Sequence, residues 1–534
     1  MGGVLGSCKP NTPILKAGKI SPRSDNMIRH DVNPRSYALM STTFLDKLMS
    51  IINRYGLLFI IIWGLGLRLI DLRQPFIGDH AWNEVYYSYI ARGFSEYGPL
   101  TQYDLNYGTV VISSPLVPWL MYGSFQLFGV VEWAARLPHL IFGIITLVLF
   151  YLLVRDLYGR RMGLVATFLA ATLPGIVFYS RNVQLESVAT CFGIAALYTL
   201  LLSVRREQRG WFVISIVCFA LGVLAKFTTV LFLPALFWIV FSTSASRSRR
   251  NLLLLMGGYA LLALIPSIIW VAYVTSGARQ AAAGDNTAKE YFIRSGSWAL
   301  SKFVSAFRSV EPYLATGVGA RIWYPSLVLG FAAIVVDPPR QLRRYVLPFL
   351  MALPWFLQIG YPGAWLANAY YVYPILFAIC ILLAALGLHL WDRIAALPGV
   401  GNLQLQILAA GSIALVMIFG FSDYMANYHS AYSPWPLIPQ PSKLYSAKYV
   451  AAQNVEHQPV LTDLPFTLYY TEADRSNSMY IWWGDSDEQA IQAIESKEFV
   501  FIAYTYPPTI DIVNAIRDTG YTQIAPGAWQ LSES

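Results

Sequence analysis

The segment Ile77–Phe94, IGDHAWNEVYYSYIARGF, gathers two carboxylates, an imidazole and an amide on neighbouring helical turns. Asp79 and Asn83 stand four residues apart, as do His80 and Glu84, so each pair shares a helical face. A carboxylate held at the lip of a membrane bundle can take a proton from a hydroxyl group. The plainer reading is a helix start, where the dipole favours acidic residues. Cations that could meet an anion follow: Arg136 beside Pro138 and His139, Arg181 with Glu186, and Lys226 in the middle of an apolar run. Charges at span ends commonly snorkel or pair. Lys226 is harder to place, because an ammonium within a membrane is costly unless it meets a partner or a wet cavity. A phosphate would satisfy it, and so would Glu186. Asp79, His80, Glu84 and Glu186 are ligand types that leave a divalent metal open, but their spacing matches no compact metal motif, and no metal site is assigned.

These residues must be positioned by membrane helices. With 56% hydrophobic and 13% charged residues, the 534-residue chain is too apolar for a soluble protein of its length. Apolar runs of about 17 to 25 residues recur from Tyr55 to Phe421, and each can cross a hydrocarbon core roughly 30 Å thick. The net charge of +8 collects in short connecting loops, so it reads as membrane topology and not as a nucleic-acid surface. Cys191, Cys218 and Cys380 lie in apolar runs and Cys8 in a polar leader, which implies neither a disulfide framework nor a thiolate metal site. Residues 1–45 read as a disordered basic cytoplasmic leader without a lipoprotein or myristoylation signal.

The first span, Tyr55–Leu72, follows a basic flank and places the N-terminus in the cytoplasm. Residues 73–135 then form an outer loop with two interfacial helices, Ala81–Tyr97 and Pro115–Phe128. Spans at His139–Val154, Gly163–Phe178 and Val188–Leu202 follow. Trp211–Phe241 is interrupted by Lys226 and reads as a short hairpin with a recessed apex. Leu252–Val274, Ile322–Val336, Tyr345–Ile359, Tyr371–Trp391 and Gln404–Phe421 bring the total to about eleven spans. Ser276–Ala320 is a polar outer loop. The expected organisation is therefore an all-α membrane bundle over 46–422 and a small extracytoplasmic α/β domain over 423–534. In the latter, β-rich runs at Pro459–Thr462, Phe499–Ala503 and Tyr521–Ile524 alternate with helical patterns at Asp487–Ile494 and Ile510–Arg517.

The order of motifs, YIAR, a Pro-led amphipathic helix, ARLP, FYSRNVQLE, LGVLAKF and NAYYVYP, resembles the GT-C glycosyltransferases. In particular it is similar to the protein O-mannosyltransferase family (glycosyltransferase family 39) and the lipid A aminoarabinose transferases. The resemblance runs from about Arg54 to Gly387. It implies a GT-C fold and an inverting transfer of a monosaccharide from a polyprenyl or dolichyl monophosphate carrier to an acceptor protein, lipid or glycan on the extracytoplasmic face. It implies Asp79 or Glu84 as the base, and His80, Arg136, Arg181, Glu186, Lys226, Asn368, Tyr370 and Tyr371 as substrate-binding residues. Aligning YIAR sets Asn83 and Glu84 on the family's Asp-Glu pair, and Asn83 cannot be a base, so Asp79 is the first choice. Ser113 and Ser114 precede Pro115 where several relatives carry a Lys. The expected location is the cell membrane, crossed many times, with membrane lipids as further partners. Two rivals share these features: a transporter or flippase for lipid-linked sugars, for which no inverted repeat is found, and a ligase using a diphosphate-linked polymer.

Overall fold

The computed structural model describes residues 54–76, 81–104, 109–110, 113–243, 248–274, 276, 346–355, 369–424, 444–471, 478–481, 487–505 and 507–532. Asp79, His80, Asn368, the leader, the span Ile322–Val336 and all but Ser276 of the expected outer loop Ser276–Ala320 lie outside the described residues. Gly56–Ser534 form one compact unit.

Helix α1 covers 54–69. The segment that follows carries α2 (Ala81–Tyr97), a short hairpin of β1 (Tyr103–Asp104) and β2 (Thr109–Val110), and α3 (Leu116–Phe128). The bundle continues with α4 (Glu132–Tyr158), α5 (Arg160–Thr172), α6 (Pro174–Tyr179), α7 (Leu185–Arg206) and α8 (Arg209–Ala225). Beyond them are α9 (Leu233–Thr243), α10 (Arg249–Val274), α11 (Val346–Trp355), α12 (Tyr373–Ala395) and α13 (Asn402–Tyr424). Among the described residues, 5 helices are long and apolar enough to cross a membrane, and three shorter ones are strongly apolar. The chain is an integral membrane protein. The expected span Gly163–Phe178 is two helices, because Pro174 lacks the N–H that would continue α5 and Leu173 turns extended.

Helix α7 forms the centre of the bundle, packed against α4, α8 and α9. Close approach depends on small residues, the usual device where lipid gives no hydrophobic drive between helices. A Cβ on Gly193 would stand 2.6 Å from the Phe232 ring, and one on Gly143 2.7 Å from Ser180. Helix α13 turns Ile407, Ile418 and Phe419 outward, as suits a lipid-facing helix.

The C-terminal residues build an α/β region from α14 (Tyr445–Gln453), β3 (Val460–Thr462), α15 (Pro465–Tyr469), β4 (Met479–Tyr480), α16 (Asp487–Glu495), β5 (Phe501–Ala503), α17 (Ile510–Thr519), β6 (Tyr521–Ala525) and β7 (Ala528–Leu531). The sheet order is β4-β3-β5-β7-β6, with β3 parallel to β4 and β5, and β7 antiparallel to β5 and β6. Leu461, Ile494, Ile502, Ile516 and Trp529 fill its core. Helix α17 is delimited by Thr509, whose hydroxyl accepts from the Ile512 N–H, and by left-handed Gly520. Helix α15 leaves the sheet and packs on α2.

Candidate active site

The site is organised around the end of α1. A helix leaves its last carbonyl groups without partners, and here the chain turns through Asp71, which adopts a left-handed φ of 51°. Two arginines from elsewhere take up carbonyls of this turn, beyond the last helical residue. Arg181 donates to the carbonyls of Ile70 and, at 3.2 Å, Asp71. Arg136 donates to those of Leu72, at 2.9 Å, and Gln74. A third buried arginine, Arg68, crosses from α1 to Ser180 Oγ at 2.6 Å and donates back to the Gly64 carbonyl of its own helix at 2.8 Å.

Arg136 also forms a two-pronged ion pair with Glu84. Its Nε and Nη2 each lie 2.8 Å from a different carboxylate oxygen. Glu84 Oε1 additionally accepts from the Val183 N–H at 3.2 Å, and the guanidinium carbon sits 5.0 Å from the centre of the Phe76 ring. Both side chains are 3% exposed. Charges so far from water need this degree of hydrogen bonding to be tolerated. Asn83, next to Glu84, donates to Gln184 Oε1 at 3.0 Å. The start of α2 is thereby tied to the turn that opens α7.

Lys226 occupies the break between α8 and a 3₁₀ helix, Phe227–Phe232. Its own backbone is extended, while Thr229 closes the break by donating its hydroxyl to the Gly222 carbonyl at 2.7 Å. The ammonium meets the Glu186 carboxylate and faces the rings of Tyr371, at 4.3 Å, and Tyr370, at 4.8 Å. Glu186 lies in the first turn of α7. It is buried, whereas the lysine side chain keeps 13% exposure. His139 stands between the two ion pairs in sequence and contacts Ser187, one residue from Glu186, at 3.0 Å through Nδ1.

The fold thus joins Glu84 to Arg136, and Lys226 to Glu186, Tyr370 and Tyr371, while Arg181 braces α1. Asp79, His80 and Asn368 fall outside the described residues. Arg68, His139 and Tyr470 belong to the same neighbourhood, and the sequence signals only Arg68, as a lone Arg in an apolar run, and His139, as a neighbour of Arg136. Among the described residues no group of three or more His, Cys, Asp or Glu side chains could hold a metal.

Residues 113–270, from α3 through most of α10, match the family model described as dolichyl-phosphate-mannose-protein mannosyltransferase. The chain is 22% identical over 160 residues to YkcB, a candidate mannosyltransferase of Bacillus subtilis, a match covering 30% of this chain and 22% of that protein. It is 27% identical over 172 residues to an uncharacterised protein of Aquifex aeolicus, covering 32% of this chain and 34% of the other. In both cases the match spans about a third or less of the relative's length. The fold of ArnT from Cupriavidus metallidurans superposes with a TM-score of 0.62 at 15% identity, covering 89% of this chain and 99% of that one. The same enzyme bound to undecaprenyl phosphate gives 0.62 at 16% identity, over 89% and 98% of the two chains. The oligosaccharyltransferase of Archaeoglobus fulgidus superposes with 0.50 at 13% identity, over 85% and 69%. The chain is a membrane protein of the GT-C fold, similar in fold to ArnT, and its residues 113–270 match the family model described as dolichyl-phosphate-mannose-protein mannosyltransferase.

Proposed function

We propose that the chain is an inverting glycosyltransferase that moves a monosaccharide from a polyprenyl or dolichyl monophosphate to an acceptor protein, lipid or glycan on the extracytoplasmic face. The observation that carries this reading is Lys226, a cation at a helix break inside an apolar bundle, held by one carboxylate and two aromatic faces. A monophosphate is the natural alternative partner for that ammonium. The capture of undecaprenyl phosphate by a protein of the same fold supports it.

In the reaction the acceptor hydroxyl gives its proton to a carboxylate and attacks the anomeric carbon from the face opposite the phosphate. The bond from that carbon to the phosphate oxygen breaks, and the carrier leaves as a monophosphate whose charge Lys226 stabilises. Asp79 is the preferred base. Glu84 has both oxygens engaged by Arg136, which favours a holding role for it over proton transfer. About eleven spans, with the N-terminus in the cytoplasm and the sheet outside, complete the arrangement in the cell membrane. External labelling of a cysteine at Gly159 in intact cells would contradict that topology.

Mass spectrometry of envelope glycans and lipids, from cells with and without the chain, identifies the product. Membranes then give the transfer rate. Asp79→Asn should lower turnover by about 10² to 10⁴ while undecaprenyl monophosphate binding persists. Near-normal transfer in Asp79→Asn with loss in a folded Glu84→Gln would move the base to Glu84. Full activity in both would defeat the enzyme reading.

A further inference from the structure

The turn after α15 places Tyr470 against the start of the outer loop. Its hydroxyl accepts a hydrogen bond from the Phe76 backbone N–H at 2.9 Å and donates one to Glu132 Oε1, also at 2.9 Å. Burial, and then the Glu132 carboxylate, push the Tyr470 hydroxyl well above the ordinary tyrosine range, so it keeps the proton that Glu132 requires. The neighbouring Tyr469 packs edge-on against Phe76, with centres 5.5 Å apart, and against Tyr89, 5.1 Å apart. Phe76 is fully buried between this tyrosine and the Arg136 guanidinium.

Glu132 and Arg136 are one helical turn apart on α4, so they share a face. One grips Tyr470 and through it Phe76. The other grips Glu84 directly. Asp79 follows Phe76 by three residues, a reach of at most about 11 Å even when extended, and precedes Glu84 by five. The stretch that carries the preferred base is therefore anchored at both ends to the same face of α4, and one of those anchors comes from a residue almost 400 positions away (|i−j| = 394).

We propose that Tyr470 is a positioning residue for the transfer reaction, clamping the Phe76 backbone to Glu132 and so limiting how far Asp79, three residues on in sequence, can lie from α4. This rests on the reading of Asp79 as base. It assigns the C-terminal α/β region a part in the chemistry that neither its fold nor the motifs of the bundle indicate.

The test uses the full chain in lipid nanodiscs and in membranes. In Tyr470→Phe the ring stays and the hydroxyl goes. Deuterium exchange should rise several-fold in peptides covering 72–76, while strands β3 and β5 exchange as before. Turnover should fall by about tenfold, the scale of one lost positioning hydrogen bond, with undecaprenyl monophosphate affinity unchanged. Added to Asp79→Asn, the substitution should cost nothing more, since both act through one proton transfer. Glu132→Gln, which keeps an acceptor oxygen, should retain more turnover than Glu132→Ala. Unchanged exchange at 72–76, exchange rising equally through the sheet, or the same fold-loss in the Asp79→Asn background would each overturn the proposal. If Asp79→Asn itself retains activity, the base assignment fails, while the exchange experiment still decides whether the clamp exists.

Discussion

Two buried ion pairs stand side by side in this protein, and they are built differently. The Arg136–Glu84 pair is close to saturated: both carboxylate oxygens, two loop carbonyls, a backbone N–H and a phenyl face are engaged. Among the described residues, the Lys226–Glu186 pair has one carboxylate oxygen against one ammonium, with two aromatic faces beside the cation and some access left to the lysine. A saturated pair has nothing to offer a ligand and much to lose if broken. A pair with one bond can exchange its carboxylate for a phosphate oxygen at little net cost. Buried charge alone does not mark a binding site; unused bonding capacity at the charge does.

The largest expected effect comes from cutting the saturated pair. Glu84→Ala leaves a guanidinium buried without its carboxylate and should cost about 3 to 5 kcal/mol of stability, seen as a lowered melting temperature and loss of protein from the membrane fraction. A stable Glu84→Ala would remove the contrast. The second effect is at the exchangeable pair. Lys226→Ala should stay folded yet bind undecaprenyl monophosphate about ten- to a hundredfold more weakly, the value of a charge-assisted hydrogen bond. Unchanged affinity would take Lys226 out of the site. The smallest effect is the most discriminating: Glu186→Gln removes the charge that competes for the ammonium, so phosphate affinity should rise a few-fold, by roughly 1 kcal/mol or less. A fall would mean that Glu186 helps to hold the donor and does not compete with it.

Much of the local structure was legible in the sequence. Helix α2 spans Ala81–Tyr97 as its amphipathic pattern predicts, and Lys226 ends a helix where it interrupts an apolar run. The strands at Val460, Phe501 and Tyr521 follow the β-rich runs. These signals are periodic and local, and each is carried by one stretch of chain. The pairings of the site are neither. Glu84 and Arg136 were separate candidates with separate jobs, and nothing in the 52-residue interval between them says that they bond each other. Arg181, a substrate-binding candidate, donates in the fold to the Ile70 and Asp71 carbonyls just after α1, contacts which no side-chain pattern reveals. Tyr469 and Tyr470 lie in a five-residue helix and the turn after it, too short to show a period.

The sheet of the C-terminal region carries one further lesson. Its order, β4-β3-β5, reverses direction beside β3, and in open α/β sheets the gap beyond the carboxyl ends of the strands at such a reversal is where small molecules are held. Here the chain fills that gap with its own groups. Asp463, at the end of β3, accepts the Thr505 N–H at 2.8 Å, and the Thr467 and Thr505 hydroxyls meet at 2.6 Å. The cradle has become a keystone: the residues that could have gripped a cargo lock the root of α15, and α15 presses Tyr469 onto the outer loop. In this chain an architecture suited to carrying a ligand serves as a buttress for the neighbouring candidate site.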